Sequence, residues 1–303
     1  MSTLCAAVFK QLLRGTAVKR AAGLVLVLSV LFAALPTFAD TGRDALRVCA
    51  DPNNLPFSHK NRQGFENKIA ELFARQLNLP IEFTWFPQRI GFIRNTLRAT
   101  EPETERYKCD IVMGVPSGFE LTDTTAPYYR STYALVYVKG GGLDDIASAR
   151  AVVELPLKRR NALRIGVFAP SPAVDWLLKN GMIEQQVAFQ IMSGDPERYP
   201  GELIEKELVA GHVDMAIVWG PIAGYFAKVL DTIPVVVILL ESEPGIQFDY
   251  EMSMGVRHGD REWKREIEAL LERTKPEIRK ILEEYNVPLL PLGKRPAALD
   301  DED

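Results

Sequence analysis

Short apolar runs alternate with stretches of helical spacing along most of the chain. Leu46-Arg47-Val48-Cys49-Ala50 is the first run, and the Pro and Asn residues between Asp51 and Phe57 mark the loop after it. Beyond Gly64, the residues Phe65, Ile69, Leu72, Phe73 and Leu77 fall on one face of a predicted helix. Glu66 in its first turn suits the positive end of the helix dipole. Ile81 to Phe86 alternates as a strand, and Pro87-Gln88-Arg89 opens a predicted helix with Ile90, Ile93 and Leu97 turned inward. Ile111-Val112-Met113, led by Asp110 and closed by Gly114, reads as a buried parallel strand. It runs into a loop carrying Pro116, Ser117 and Gly118, then Tyr128-Tyr129-Arg130. This β-α-β-α-β order predicts a doubly wound sheet.

A second phrase, Val213-Asp214-Met215-Ala216-Ile217-Val218-Trp219-Gly220-Pro221, mirrors the Asp110 phrase: an Asp, an apolar strand, a Gly and a nearby Pro. Around it lie a strand at Leu163 to Val167, a helix after Ser171-Pro172, a helix at Gly201 to Ala210 and a strand at Ile233 to Leu240. The pattern predicts an α/β protein of two lobes meeting at a cleft. The expected division is 40–134 for the first part of lobe 1, 135–249 for lobe 2, and 250–303 for a return to lobe 1 with C-terminal helices and an acidic tail. Tyr133 to Val138 and Met252 to Val256 are the expected crossings, and Pro276 separates the last two helical patterns.

Residues 1–39 differ from the rest. They carry Lys10, Arg14, Lys19 and Arg20 and no acid, then an apolar run from Ala21 to Leu35, then Pro36-Thr37-Phe38-Ala39. This is the pattern of a secretory signal peptide cut after Ala39, leaving a periplasmic protein with no stable membrane insertion. Its removal takes the net charge from −4 to −8, which argues against nucleic acid as a partner. Asp300-Asp301-Glu302-Asp303 reads as a solvated tail. Cys49 and Cys109 remain in a compartment that favours disulfides. One sits near the end of its predicted strand and the other at the start, so the sequence leaves their pairing open.

In open parallel sheets, ligands bind just outside the carboxyl ends of the strands. That places Asp51, Asn53 and Phe57 after the first strand, and Ser117, Tyr128, Tyr129 and Arg130 after the Asp110 strand, as candidate ligand- or partner-binding residues. Arg89 joins them at a strand-to-helix turn, and Trp219 at the mirrored strand end of lobe 2. Ser171 is a further candidate, since a helix N-terminus receives anions, although it reads first as a plain N-cap. None of His59, His212 or His258 sits in a recognisable motif, so no catalytic residue, metal ligand set or cofactor is expected.

Leu46–Asp51, Gly64–Leu77, Cys109–Val115, Ile165–Leu178 and Gly211–Val218, in that order, resemble landmarks of the family 3 periplasmic solute-binding proteins. That resemblance implies a type II fold, each lobe a sheet flanked by helices, on a two-strand hinge. Amino-acid binders of the family usually carry a Thr-x-x-Arg turn after the Asp110-like strand, whose guanidinium clamps the ligand's α-carboxylate. Here the turn reads Val115-Pro116-Ser117-Gly118-Phe119-Glu120, with no arginine. Four longer blocks resemble one subgroup: Cys49–Ser58, Gly64–Ala70, Phe86–Leu97 and Cys109–Pro116. This is the quinoprotein-dehydrogenase-associated group of MoxJ and XoxJ type. It implies an accessory factor, not an enzyme, whose partner is a PQQ-dependent methanol or other alcohol dehydrogenase. The alternatives are a transport receptor for a small polar solute and an enzyme built on a solute-binding fold.

Overall fold

The computed structural model describes residues 42–190, 195 and 197–293. The expected signal segment and the acidic tail lie outside the described residues. Strand β1 (Leu46–Ala50) is followed by a small ribbon, β2 (Asn53–Asn54) and β3 (Ser58–His59), then helix α1 (Phe65–Leu77) and strand β4 (Ile81–Trp85). Helix α2 (Phe92–Asn95) precedes strands β5 (Ile111–Pro116), β6 (Asp123–Thr124) and the long β7 (Tyr129–Val138). Next come α3 (Ala149–Val153), α4 (Leu157–Arg160), β8 (Ile165–Ala169), α5 (Pro172–Lys179) and β9 (Gln186–Gln190). A π-helical turn at Leu203–Leu208 leads to β10 (Met215–Trp219), α6 (Gly220–Val229), β11 (Val235–Leu239), β12 (Asp249–Val256), α7 (Arg261–Arg273) and α8 (Lys275–Glu284).

β1 lies between β4 and β5, parallel to both, with Leu46 opposite Ile81 and Val48 opposite Ile111. Both faces of such a sheet are covered, so β1 and the Ile111–Met113 run of β5 are apolar and buried throughout apart from Arg47. Phe65, Ile69 and Phe73 of α1 share this core with Trp263, Ile267 and Leu270 of α7 and with Ile278 and Leu282 of α8. The last two helices therefore complete the first lobe. In the second lobe β8 runs parallel to β9 and β10, while β10 and β11 pair antiparallel with β7.

β7 and β12 belong to both sheets. Tyr129 to Thr132 pair with Met252 to Asp249, whereas Tyr133 to Val138 pair only with lobe 2 strands. The far half of β12 pairs with β5 and β6 of lobe 1. Two antiparallel strands thus form the hinge of a two-lobed, type II fold. No helix among the described residues is long and apolar enough to cross a membrane.

Two local expectations are corrected. Ile90 is 85% exposed, not inward: Gly91 takes φ 89°, so the helix begins only at Phe92, and Ile93 and Leu97 alone turn in. Lys158, Arg159 and Arg160 lie in α4, with Arg159 forked onto Asp145 at 2.6 Å. Tyr129 and Arg130 are not loop residues; they are buried members of β7. The open question of the cysteines is answered by a Cys49–Cys109 disulfide with a Cα–Cα distance of 5.4 Å. Cys109 precedes β5, where the Asp110 N–H donates to the Arg47 carbonyl, so strand spacing does not set the distance.

Candidate functional site

A cleft of about 310 Å3, near the low end of ordinary ligand pockets, opens between the lobes at the carboxyl ends of β1, β5 and β10. Strand-end geometry brings Asp51, Asn53, Phe57, Arg89 and Trp219 together along its wall. A hollow of similar size at Phe168, Phe189 and Tyr199 lies within lobe 2 and shares Arg198 and Pro200 with the cleft wall.

Asp51 follows directly from β1 and is fixed by its neighbours. Its Oδ1 accepts the Asn53 N–H at 2.8 Å and its Oδ2 the Gln88 N–H at 2.5 Å. Burial raises its pKa, while the two N–H groups and the Arg89 charge pull the other way. The Asn53 amide reaches across the cleft and donates to the Glu197 carbonyl of lobe 2 at 3.0 Å. Phe57 packs against the cores of both lobes. Trp219 ends β10, with the rings of Tyr133 and Tyr250 at 5.5 and 5.9 Å.

The remaining predicted residues are elsewhere. Ser117 is exposed and bonds Ser253 Oγ at 2.7 Å; its neighbour Pro116 lines the cleft instead. Tyr128 donates its hydroxyl to the Met113 carbonyl at 2.8 Å, and Tyr129 packs edge-on against Phe65. Both rings border a groove against α7 and α8 rather than the cleft. Arg130 is committed to Asp249 and to the Pro291 carbonyl. Ser171 is the N-cap of α5 and does not line the cleft.

Sequence reasoning missed Glu66, Gly114, Arg198, Ile222 and Met252 in this wall. Glu66 is the most consequential. Burial, reinforced by the nearby Asp51 charge, pushes its carboxyl up to about 8, so near pH 7 it is mostly protonated. It fits because residue 114 is glycine: a Cβ there would stand 2.2 Å from Glu66 Oε1. The signal was present in the sequence. Glu66 lies on the Ile69–Ala70–Phe73 stripe, the buried side of α1, where an acid is out of place. Arg198, from the lobe 2 side, is paired with Glu202 at 2.5 Å.

The wall therefore offers three acids, Asp51, Glu66 and Asp195, two arginines and the rings of Phe57 and Trp219. No group of three or more potential metal ligands occurs among the described residues. None of the three histidines is among the described residues that line the cleft.

Two lobes on a two-strand hinge, with a cleft at the strand ends, define a periplasmic binding protein of type II. The chain is 35% identical to the periplasmic binding protein XoxJ of Methylobacterium extorquens AM1, whose crystal structure superposes with a TM-score of 0.65 over 82% of this chain and 100% of that one. MxaJ, another solved structure, shares 28% identity at a TM-score of 0.67, covering 81% of this chain and all of the other. Protein MoxJ of Paracoccus denitrificans is 29% identical over 281 residues, 87% of this chain and 95% of that protein. The chain belongs to this family of MoxJ- and XoxJ-type periplasmic binding proteins. No protein-family model matches it. An ancestral amino-acid-binding protein, 22% identical at a TM-score of 0.57, shares the fold.

Proposed function

We propose that the protein is a periplasmic accessory factor for a PQQ-dependent methanol or alcohol dehydrogenase, and that its cleft receives part of that enzyme. The observation that carries this reading is the cleft's missing carboxylate clamp. The turn after β5 supplies no arginine, and Arg130 is bound to Asp249 inside the hinge. The cleft wall carries instead a neutral Glu66 close to Asp51. A peptide segment has no free α-carboxylate to clamp, whereas its carbonyls accept hydrogen bonds from a protonated acid and from Arg89. The volume limits what enters: about 310 Å3 suits one or two inserted side chains, with the partner's backbone crossing the mouth. Ile90, 85% exposed, adds apolar surface next to Arg89 in the sequence. The resemblance of four sequence blocks to the quinoprotein-dehydrogenase-associated group supports the choice of partner.

Deleting the gene tests the reading. Periplasmic dehydrogenase activity falls while the enzyme is still exported, and a chromosomal copy restores it. Unchanged activity in the deletion strain, with lost uptake of a small solute, would assign the protein to transport.

A further inference from the structure

The hinge strands are not the only connection between the lobes. Helix α8 ends in a Schellman turn: Val287 N–H donates to the Leu282 carbonyl and Asn286 N–H to the Glu283 carbonyl, with Asn286 at φ 54°. The turn directs the chain out of lobe 1 and along α6 of lobe 2. There Gly224 removes the side chain that would block it: a Cβ would stand 2.0 Å from the Asn286 carbonyl oxygen. One turn earlier, Gly220 makes room chiefly for β7, where a Cβ would stand 2.2 Å from the Thr132 carbonyl oxygen, and then for Pro288 at 3.3 Å.

Polar contacts fix the segment on both sides. The Asn286 amide donates to the Gly224 carbonyl at 2.9 Å, and Lys228 Nζ to the Glu284 carbonyl at 2.6 Å. Tyr285 stacks on Tyr225 of lobe 2 at 5.8 Å, while its hydroxyl donates to the Gln63 carbonyl and its ring meets Phe65, both of lobe 1. Further on, Ser131 donates to the Pro288 carbonyl at 2.6 Å and Leu290 N–H to the Arg130 carbonyl at 2.8 Å, which ties the segment to β7. Pro288 stiffens it, and Pro291 follows directly after it.

We propose that Tyr285 to Leu290 is a strap that holds the two lobes at one fixed angle, so that the cleft works at constant width instead of closing on its ligand. Lobe 2 cannot rotate about β7 and β12 without sliding α6 past Tyr285 and Asn286. Contacts reach from Gly220 to Lys228, roughly 12 Å along the helix. Displacement grows with distance from the hinge, so the Lys228 and Tyr225 contacts resist rotation most. The strap holds the lobes whichever partner or solute the cleft takes.

Spin labels on Arg94→Cys in lobe 1 and Leu178→Cys in lobe 2, both exposed, report the interlobe distance by double electron–electron resonance in the full chain. The strap predicts one narrow distribution that does not move when millimolar arginine or glutamine is added. Gly224→Ala, which displaces Asn286, broadens it or adds a second distance. If that variant loses its circular dichroism, the milder Lys228→Ala/Asn286→Ala pair gives the same broadening. A wild-type distribution that already holds two distances, or one that stays narrow in a folded strap variant, overturns the proposal.

Discussion

Arg130 and Asp249 meet inside the hinge: Nε and Nη2 of the arginine donate to one carboxylate oxygen at 2.8 and 2.5 Å, with both side chains buried. They belong to β7 and β12, the two strands that pass between the lobes. Nη1 continues to the Pro291 carbonyl at 3.1 Å, and Ser242 donates to the other Asp249 oxygen. Truncating one partner of such a buried pair strands the other charge. Arg130→Ala is expected to lower folding stability by about 3–5 kcal/mol. Urea denaturation followed by circular dichroism checks this, and a loss below about 1 kcal/mol would contradict the buried pair.

Glu66 gives the protein a pH signature. In the unfolded chain this carboxyl has its usual value near 4.5; in the folded protein burial lifts it to about 8. Between those values the folded state holds a proton that the unfolded state has lost, so stability falls as pH rises. Glu66→Gln removes this slope and is more stable than wild type at pH 8, by on the order of 4 kcal/mol. At pH 4 the two are alike. Urea midpoints at the two pH values decide it, and a variant no more stable at pH 8 refutes the neutral acid.

The Cys49–Cys109 bond closes a loop of 60 residues. Constraining the unfolded chain over that length stabilises the fold by about 4 kcal/mol in the chain-entropy account. Cys109→Ser and reduction of the wild type are each expected to lower the denaturation midpoint by a comparable amount. An unchanged midpoint under reductant would show that the bond contributes nothing.

Much of this architecture was legible in local patterns. The apolar runs at Leu46 and Ile111, and the helical stripe after Gly64, appear as β1, β5 and α1. The strand-end rule also found Asp51, Asn53 and Trp219 in the cleft wall. What failed depended on single backbone angles or on residues distant in sequence. Ile90 fits a helical period, but the left-handed Gly91 delays the helix by a turn. Arg130 looked like a ligand arginine because nothing nearby announces Asp249, more than a hundred residues later. Glu66 was read as a dipole partner, and its place over Gly114 depends on how α1 crosses β5. Tyr129 shows the same limit. It is a core residue, so Tyr129→Ala would unfold rather than probe the cleft, and Trp219 and Arg89 are the clean targets.

Calorimetric titration of the purified chain with the apo form of the proposed partner, a PQQ-dependent dehydrogenase, tests the central claim most directly. Saturable binding is expected in the wild type. Trp219→Ala and Arg89→Ala, both folded by circular dichroism, should each weaken it, with Trp219→Ala costing about 2 kcal/mol or more as a central aromatic anchor. Tight binding of a free amino acid, together with no heat from the dehydrogenase, would contradict the account.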